Sequence, residues 1–194
     1  PNNPTGNAFE EEKILEVVDG FNGIVVLDEA YCDFSSRRSL VSATVEHSNL
    51  VVLQTCSKAR GLAALRLGLA FSDPYVVSLM SMVKYPYNIN ESTQRLAMEA
   101  LSSDISGEVG EIKSQRARLA AAFSSYPFIR KVWPSEANFL LVRVDDANLA
   151  YDLLVKAGII VRNRTNVPGC KDCIRITVGR PEENDRMLKI LSEI

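Results

Sequence analysis

Short apolar runs alternate with helical patterns along the first half of the chain. Asn7 is a suitable N-cap, and the apolar residues at helical spacing after it predict a helix over residues 7–18. A second helix is predicted from Asp73-Pro74 to about Val83. Between them, runs of branched apolar residues predict strands, and the first two are typical of strands buried on both faces. The predicted strands cover residues 24–27, 50–54 and 67–71.

The second half of the chain predicts a smaller α+β domain. A proline-containing connector at residues 84–88 predicts the boundary, so we expect domains of residues 1–84 and 85–194. A long helical region follows, with interruptions expected at Gly107 and Gly110. The remaining predicted elements are strands at 131–133, 138–144, 159–162 and 173–178, and helices at 146–157 and from Pro181 onward.

Composition and charge exclude several classes of function. Apolar residues make up 46% and charged residues 24% of the chain, as in ordinary folded proteins. A formal net charge of −2 without a basic stripe argues against binding to nucleic acid. No apolar run approaches the ~20 residues that span a bilayer, and no signal peptide is recognisable, so we expect no membrane contact and a cytoplasmic location.

The four cysteines give little sign of a metal site. Cys170 and Cys173 form a single C-x-x-C, without the second ligand pair that a zinc site needs. We therefore expect no metal, and interpret the two thiols as residues that flank a turn in a reducing compartment.

Polar residues follow the first two predicted strands. Asp28 ends the first strand, and Thr55, Ser57 and Lys58 follow the second. Ligands of α/β sheets bind beyond the carboxyl ends of the strands, so the carboxyl edge of the predicted sheet is the candidate site. A carboxylate after so apolar a run requires a partner, which is either a ligand or, alternatively, a neighbouring helix that Asp28 caps.

Lys58 is the candidate for covalent chemistry. It lies among small residues, with Arg60 and Arg66 nearby in the sequence, and neighbouring cations lower the basicity of an amine that must react with an aldehyde. The alternatives are an ordinary loop lysine and, for Arg66, an ordinary arginine at the edge of the sheet.

Two arginines in the second half lie within apolar strands. Arg162 ends the run Ile159-Ile160-Val161, and Arg175 lies within Ile174-Arg175-Ile176. A half-buried guanidinium needs an anionic partner, which is either a ligand or an acidic residue of the protein itself.

Several motifs together resemble a known enzyme family. Asn3-Pro4-Thr5-Gly6, Asp28-Glu29-Ala30-Tyr31 and Ser57-Lys58-Ala59 with Arg66 resemble the aminotransferases of fold type I, which use pyridoxal 5'-phosphate. The C-terminal motifs point more narrowly to the histidinol-phosphate aminotransferases. Those motifs are Ala137-Asn138-Phe139-Leu140, Gly158-Ile159-Ile160-Val161-Arg162, Cys173-Ile174-Arg175-Ile176-Thr177-Val178-Gly179 and Pro181-Glu182-Glu183-Asn184-Asp185.

The resemblance implies a fold and a role for each motif residue. The expected fold is about three strands of the large-domain α/β sheet plus a small α+β C-terminal domain. Lys58 would bind the cofactor covalently and act in catalysis, while Asp28 would pair with the pyridine nitrogen. The oxygen on the ring would be held by Tyr31 and Asn3. The expected phosphate ligands are Thr55, Ser57 and Arg66.

The implied reaction is a two-stage transamination in histidine biosynthesis. L-histidinol phosphate would give its amino group to the cofactor, and 2-oxoglutarate would then collect it as glutamate. Arg175 would bind the carboxylate of glutamate and, together with Arg162, the phosphate of histidinol phosphate. Members of this family act as homodimers. The alternatives are another fold type I aminotransferase of aromatic or broad specificity, a threonine-phosphate decarboxylase, or a scaffold without catalytic activity.

The beginning of the sequence adds a further expectation. The chain starts at Pro1, inside a turn motif and without a methionine. The resemblance implies roughly as much chain again before this point, so we expect a C-terminal fragment that has an exposed sheet edge and is inactive by itself.

Overall fold

A computed structural model describes residues 1–87 and 89–193 of the chain. Asn88, the last residue of the predicted connector, lies outside the described residues. Contacts divide the chain into two compact units, residues 9–105 and residues 1–8 with 106–194. The boundary between these units, after residue 105, lies further along the chain than the domain boundary that we expected after residue 84. The expected domain boundary stays a prediction.

The unit of residues 9–105 contains a three-stranded mixed sheet. Its helices are α1 (Glu11–Gly20), α2 (Pro74–Val83) and α3 (Glu91–Ser102), and its strands are β1 (Val25–Asp28), β2 (Leu50–Thr55) and β3 (Gly68–Phe71). β2 lies in the middle, parallel to β1 and antiparallel to β3. The segment between β2 and β3 holds only a 3-10 turn, Ala63–Leu65, and lacks the crossover helix that parallel strands usually need. The expected three strands are confirmed.

Burial differs between the two parallel strands. Leu50, Val51 and Val52 of β2 are buried, as predicted. β1 is not buried on both faces, because Val26 is 56% exposed while its neighbours Val25 and Leu27 pack against the core. A run of four apolar residues has no polar position that would reveal which face meets the core, so the sequence could not distinguish these cases.

The second unit packs three helices against one face of an antiparallel sheet. Its elements are α4 (Ser106–Phe123), β4 (Ile129–Val132), β5 (Phe139–Val144), α5 (Ala147–Lys156), β6 (Arg162–Asn163), β7 (Cys173–Thr177) and α6 (Pro181–Leu191). The strand order is β4-β5-β7-β6. Leu140 and Val142 of β5, with Ile174 and Ile176 of β7, join the core beneath the helices. The alternate residues of these strands lie on the opposite face of the sheet, which we call the second face.

Three predicted boundaries were wrong. α1 begins at Glu11, because the side-chain oxygen of Asn7 accepts a hydrogen bond from the Thr5 hydroxyl instead of capping the helix. The long helical region breaks at residues 103–105, whereas Gly107 and Gly110 lie inside α4. The third strand of the second unit spans only Arg162–Asn163. Among the described residues, no helix is both long and apolar enough to cross a membrane.

Candidate active site

The parallel strands β1 and β2 end at the same edge of their sheet. β1 ends at Asp28 and β2 at Thr55, and Asp28 lies opposite Leu53 in the register. The exposed Asp28 carboxylate accepts a hydrogen bond from the backbone N–H of Ala30 at 2.9 Å, which tightens the turn that leads to Tyr31. This Asp28 carboxylate therefore lies at the carboxyl edge of the sheet and shapes the adjoining loop.

Lys58 and Tyr31 come together at this edge. The Nζ atom of Lys58 lies 5.3 Å from the centroid of the Tyr31 ring, within the range of a cation–π contact. Tyr31 is 8% exposed, whereas Lys58 is exposed to solvent. The rigid ring thus supports an amine that remains open to reagents.

Hydroxyl groups organise the loop that carries Lys58. The Thr55 hydroxyl accepts a hydrogen bond from the backbone N–H of Ser57 at 3.1 Å and donates to the carbonyl of Leu67 at 3.3 Å. The first of these bonds forms a tight turn immediately before Lys58. The second brings residues 66–68 alongside the end of β2, and so places the backbone of Arg66 next to the turn.

Arg66 has an unusual backbone conformation. Its φ of 53° and ψ of 39° are left-handed, a region that residues other than glycine rarely adopt. The exposed guanidinium donates to the carbonyl of Ala63 at 3.1 Å. Such a residue costs of order 1–3 kcal/mol and occurs most often at functional sites.

Arg60, one of the two arginines near Lys58 in the sequence, bonds backbone carbonyl groups at the end of α3. Its guanidinium donates to the carbonyl of Ala100 and, at 3.4 Å, to that of Ser103, at the end of α3. The interaction satisfies carbonyl groups that a helix leaves open at its C-terminus. Arg60 therefore anchors the loop to the helix.

The Cys32 thiol, next to Tyr31, competes weakly with the Lys58 amine for an electrophile. Burial, reinforced by the charges of Asp33 and Glu29, raises the pKa of the Cys32 thiol to about 11. The thiol is therefore protonated at neutral pH, and the thiolate is the reactive form.

The sequence analysis did not predict the buried carboxylate of Glu29, which lies next to Asp28 at the end of β1. Glu29 is 7% exposed and accepts hydrogen bonds from the Leu40 backbone N–H (2.7 Å), the Ser39 hydroxyl (2.6 Å) and the Gln54 side chain (3.0 Å). The available signal was the pair Asp28-Glu29, because consecutive residues at the end of a strand point to opposite faces. One of the two acids therefore had to point away from the candidate site.

The second unit brings Arg162 and Arg175 together. They lie directly opposite each other on β6 and β7, on the second face of the sheet. Like charges in directly opposite positions destabilise a sheet, so this pairing favours an anion between them. Arg175 donates to the Asn3 side-chain oxygen at 2.7 Å, and its guanidinium carbon lies 5.0 Å from the Phe139 ring centroid.

Asn3 belongs to a tightly packed turn in the same unit. The Asn3–Pro4 peptide bond is cis, and Gly6 has a φ of 79°. A Cβ atom at Gly6 would lie 2.7 Å from the Cβ of Ser135, and the Gly6 carbonyl accepts from the N–H of Glu136 at 2.8 Å. Glycine is therefore required at this position, and the turn holds Asn3 against Arg175.

Cys170 and Cys173 flank a turn. The backbone N–H of Cys173 donates to the carbonyl of Cys170 at 3.0 Å, and both thiols are free and buried. Burial raises the pKa of the Cys173 thiol, and Arg143 partly opposes this shift. Within residues 1–87 and 89–193, no three or more His, Cys, Asp or Glu side chains form a cluster that could hold a metal ion.

Comparison with known proteins identifies the family and the fold of this chain. The sequence matches the family described as aminotransferase class I and II over residues 1–191. The chain belongs to this family. Its fold is that of the fold type I aminotransferases, as the sequence analysis expected.

Several similar proteins share one name within this family. The histidinol-phosphate aminotransferase of Parabacteroides distasonis is 46% identical over 196 residues, which is 100% of this chain and 57% of the relative. Among solved structures, the histidinol-phosphate aminotransferase from Clostridium acetobutylicum has a TM-score of 0.93 at 25% identity, and is matched over 100% of this chain and 61% of its own.

A second solved structure contains the cofactor. The histidinol-phosphate aminotransferase from Sinorhizobium meliloti, in complex with pyridoxal-5'-phosphate, has a TM-score of 0.86 at 25% identity. The match covers 100% of this chain and 56% of that structure. The chain thus spans little more than half the length of the relatives it matches.

Proposed function

We propose that this chain carries the lysine-bearing part of a pyridoxal 5'-phosphate site, and that this site transaminates L-histidinol phosphate with 2-oxoglutarate in histidine biosynthesis. The observation that carries the proposal is the position of the Lys58 amine, 5.3 Å from the Tyr31 ring centroid, at the sheet edge where Asp28 also lies. The names of the relatives support the choice of substrate.

The residues at this edge fit an aromatic aldehyde that carries a phosphate. Lys58 offers an exposed amine, Tyr31 a phenol and Asp28 an exposed carboxylate. Arg66 adds an exposed guanidinium, and its left-handed backbone is an outlier of the kind that functional sites retain. Hydroxyl groups and a forked guanidinium are suitable donors to a dianion.

Each residue has a distinct task in the proposed site. When bound, the cofactor supplies an electrophilic aldehyde and a ring that accepts electron density as the substrate loses its α-proton. Lys58 would hold the aldehyde, and its amine, when free, would accept and return that proton. Asp28 would hold a positive charge on the ring nitrogen. Tyr31 and Asn3 would donate to the ring oxygen, and Thr55, Ser57 and Arg66 would bind the phosphate.

Arg162 and Arg175 form the proposed anion site for the substrates. Their opposition across β6 and β7 places two cationic side chains on one face. A guanidinium pair accommodates both the carboxylate of glutamate and the phosphate of histidinol phosphate, since both anions accept paired hydrogen bonds. Asn3 and the Phe139 ring orient Arg175 for this role.

Further features of the complete activity are also proposals. This chain spans 57% of the length of the Parabacteroides distasonis relative, so we expect the isolated chain to lack turnover. Measurable transamination by the purified chain would contradict this expectation. Action as a homodimer, and in the cytoplasm, likewise stays a prediction.

The cofactor proposal is tested by trapping the adduct. The chain is mixed with pyridoxal 5'-phosphate, reduced with borohydride and analysed by mass spectrometry of its peptides. We expect a single modified residue, Lys58, and loss of the visible absorbance band in Lys58→Ala. Lys13→Ala is the control, because Lys13 is an exposed lysine of the same unit, 2.7 Å from Glu16. An adduct distributed over several lysines, or one unchanged in Lys58→Ala, would contradict the proposal.

The substrate proposal is tested by binding of L-histidinol phosphate, measured by calorimetry. We expect Arg162→Ala and Arg175→Ala each to weaken the affinity by about tenfold or more, through loss of a charge-assisted contact. Arg130→Ala is the matched control, since Arg130 is an exposed arginine of the same unit that pairs with Asp145. Equal losses in all three variants would indicate a general charge effect and overturn the assignment.

A further inference from the structure

The carboxylate of Glu29 joins three segments of the chain from within the protein. One of its oxygens accepts from the Leu40 backbone, and the other accepts from Ser39 and from Gln54. The Gln54 side chain also donates to the Ser39 hydroxyl at 3.1 Å. A carboxylate buried to this extent is stable only when hydrogen bonds replace its water, and the three donors provide them.

Glu29 and Gln54 lie directly behind the candidate site. Asp28 is opposite Leu53 in the parallel register, and the N–H of Glu29 continues the ladder by donating to the carbonyl of Leu53 at 2.8 Å. Glu29 and Gln54 are therefore the next pair, and their side chains share one face. Asp28 and Thr55, each one position away, point to the opposite face.

The bridge thus connects the two strand ends from which the candidate residues extend. Asp28 and Tyr31 flank Glu29 on the segment after β1, while Thr55 and the turn to Lys58 follow Gln54 on β2. Short strands fray at their ends, where the ladder provides few hydrogen bonds. A side-chain bridge at the last pair limits that fraying on both strands at once.

We propose that Glu29 is a positioning residue: through Gln54 and Ser39 it fixes the distance between the segments that carry Asp28, Tyr31 and Lys58. The inference rests on the proposed function, because that function gives these three residues their roles. Glu29 itself touches neither cofactor nor substrate. It acts through the strand ends, as supporting residues behind a site commonly do.

The test compares variants at the two ends of the same strands. Gln54→Met removes the bridge but keeps the shape of the side chain, and Glu29→Ala removes every acceptor. Glu29→Gln is the conservative variant, since its amide oxygen accepts from Leu40 while the Gln54 amide can rotate to accept from the new NH₂ group. Asn49→Ala is the matched control, because Asn49 bonds the carbonyls of Val18 (2.8 Å), Phe21 (3.3 Å) and Gly23 (3.2 Å) at the amino end of β1 and β2.

Two readouts separate positioning from general stability. Without cofactor, hydrogen exchange followed by mass spectrometry should be faster at residues 28–31 and 54–58 in Gln54→Met and Glu29→Ala, but not in Asn49→Ala. With pyridoxal 5'-phosphate, the apparent affinity for adduct formation at Lys58 should fall by about tenfold in the same two variants. Glu29→Gln should restore most of both properties, and Asn49→Ala should lower only the melting temperature.

The outcomes distinguish the two proposals. Unchanged exchange at both segments in Gln54→Met, or an equal loss of adduct in Asn49→Ala, would overturn the positioning role. If the unmodified chain forms no adduct at Lys58, the proposed cofactor site fails. The exchange measurement then decides by itself whether Glu29 holds the strand ends together.

Discussion

At the scale of single residues, Arg66 of the candidate site has a backbone conformation that is unfavourable for its residue type. Arg66 maintains a left-handed backbone, which glycine would adopt at lower cost. Asp172 has a similar φ of 55°, but it lies in the turn between Cys170 and Cys173 and has no proposed role in the site. The two residues therefore share a backbone conformation and differ in proposed function.

This contrast yields a prediction. Arg66→Gly and Asp172→Gly should each stabilise the chain, by up to about 1 kcal/mol, because glycine removes the steric cost of the left-handed region. Only Arg66→Gly should weaken binding of pyridoxal 5'-phosphate, through loss of the guanidinium. Urea denaturation and absorbance titration measure the two effects. A stabilised Arg66→Gly variant with unchanged cofactor affinity would remove Arg66 from the proposed phosphate site.

Individual elements depend on polar side chains at their junctions. Asn184 is 2% exposed, and its side chain bonds both the N–H (3.0 Å) and the carbonyl (2.9 Å) of Gly179, between β7 and α6. It also donates to the Gln115 side chain of α4 at 3.0 Å. A Cβ atom at Gly179 would lie 2.7 Å from the carboxylate of Glu183, so a larger residue would displace that side chain. This junction fixes the end of the strand that carries Arg175.

We predict that Asn184→Ala lowers the free energy of unfolding by about 1–3 kcal/mol, because the half-buried N–H and carbonyl of Gly179 lose their hydrogen bonds to its side chain. The adjacent variant Asp185→Ala is the control. Asp185 is exposed and forms a surface ion pair with Arg118, so its loss should cost less than about 1 kcal/mol. Equal destabilisation of the two variants in urea unfolding would show that the hydrogen bonds of Asn184 stabilise the chain no more than a surface ion pair.

At the scale of the whole molecule, each compact unit has a core of its own. Leu50 belongs to the core of residues 9–105, and Leu154 belongs to the larger core of the other unit. Both side chains are fully buried. Lys58 and Asp28 belong to the unit of residues 9–105, and Asn3, Arg162 and Arg175 belong to the other unit.

We predict that the two cores respond separately to mutation. Leu50→Ala and Leu154→Ala should each cost about 2–5 kcal/mol, and each should lower the melting temperature of its own unit. Calorimetry should then show two transitions, with a different one shifted in each variant. A single transition that both variants lower equally would show that the chain unfolds as one cooperative unit.

The sequence alone predicted the features that arise from neighbouring residues. Apolar runs located all three strands of the first sheet, α2 begins after Asp73 as predicted, and Pro181 begins α6. The motif with Lys58 indicated the family. These properties depend on a few consecutive residues, whose conformational preferences act over short distances.

Other features depended on contacts between segments distant in the sequence. The exposed face of β1, the opposition of Arg162 and Arg175, and the burial of Glu29 arise from strand pairing and packing. A shift of one residue in register would reverse the face of every side chain in a strand, so no local pattern determines which groups meet. The sequence therefore identified the candidate residues, and the packing of distant segments determined which of them lie together.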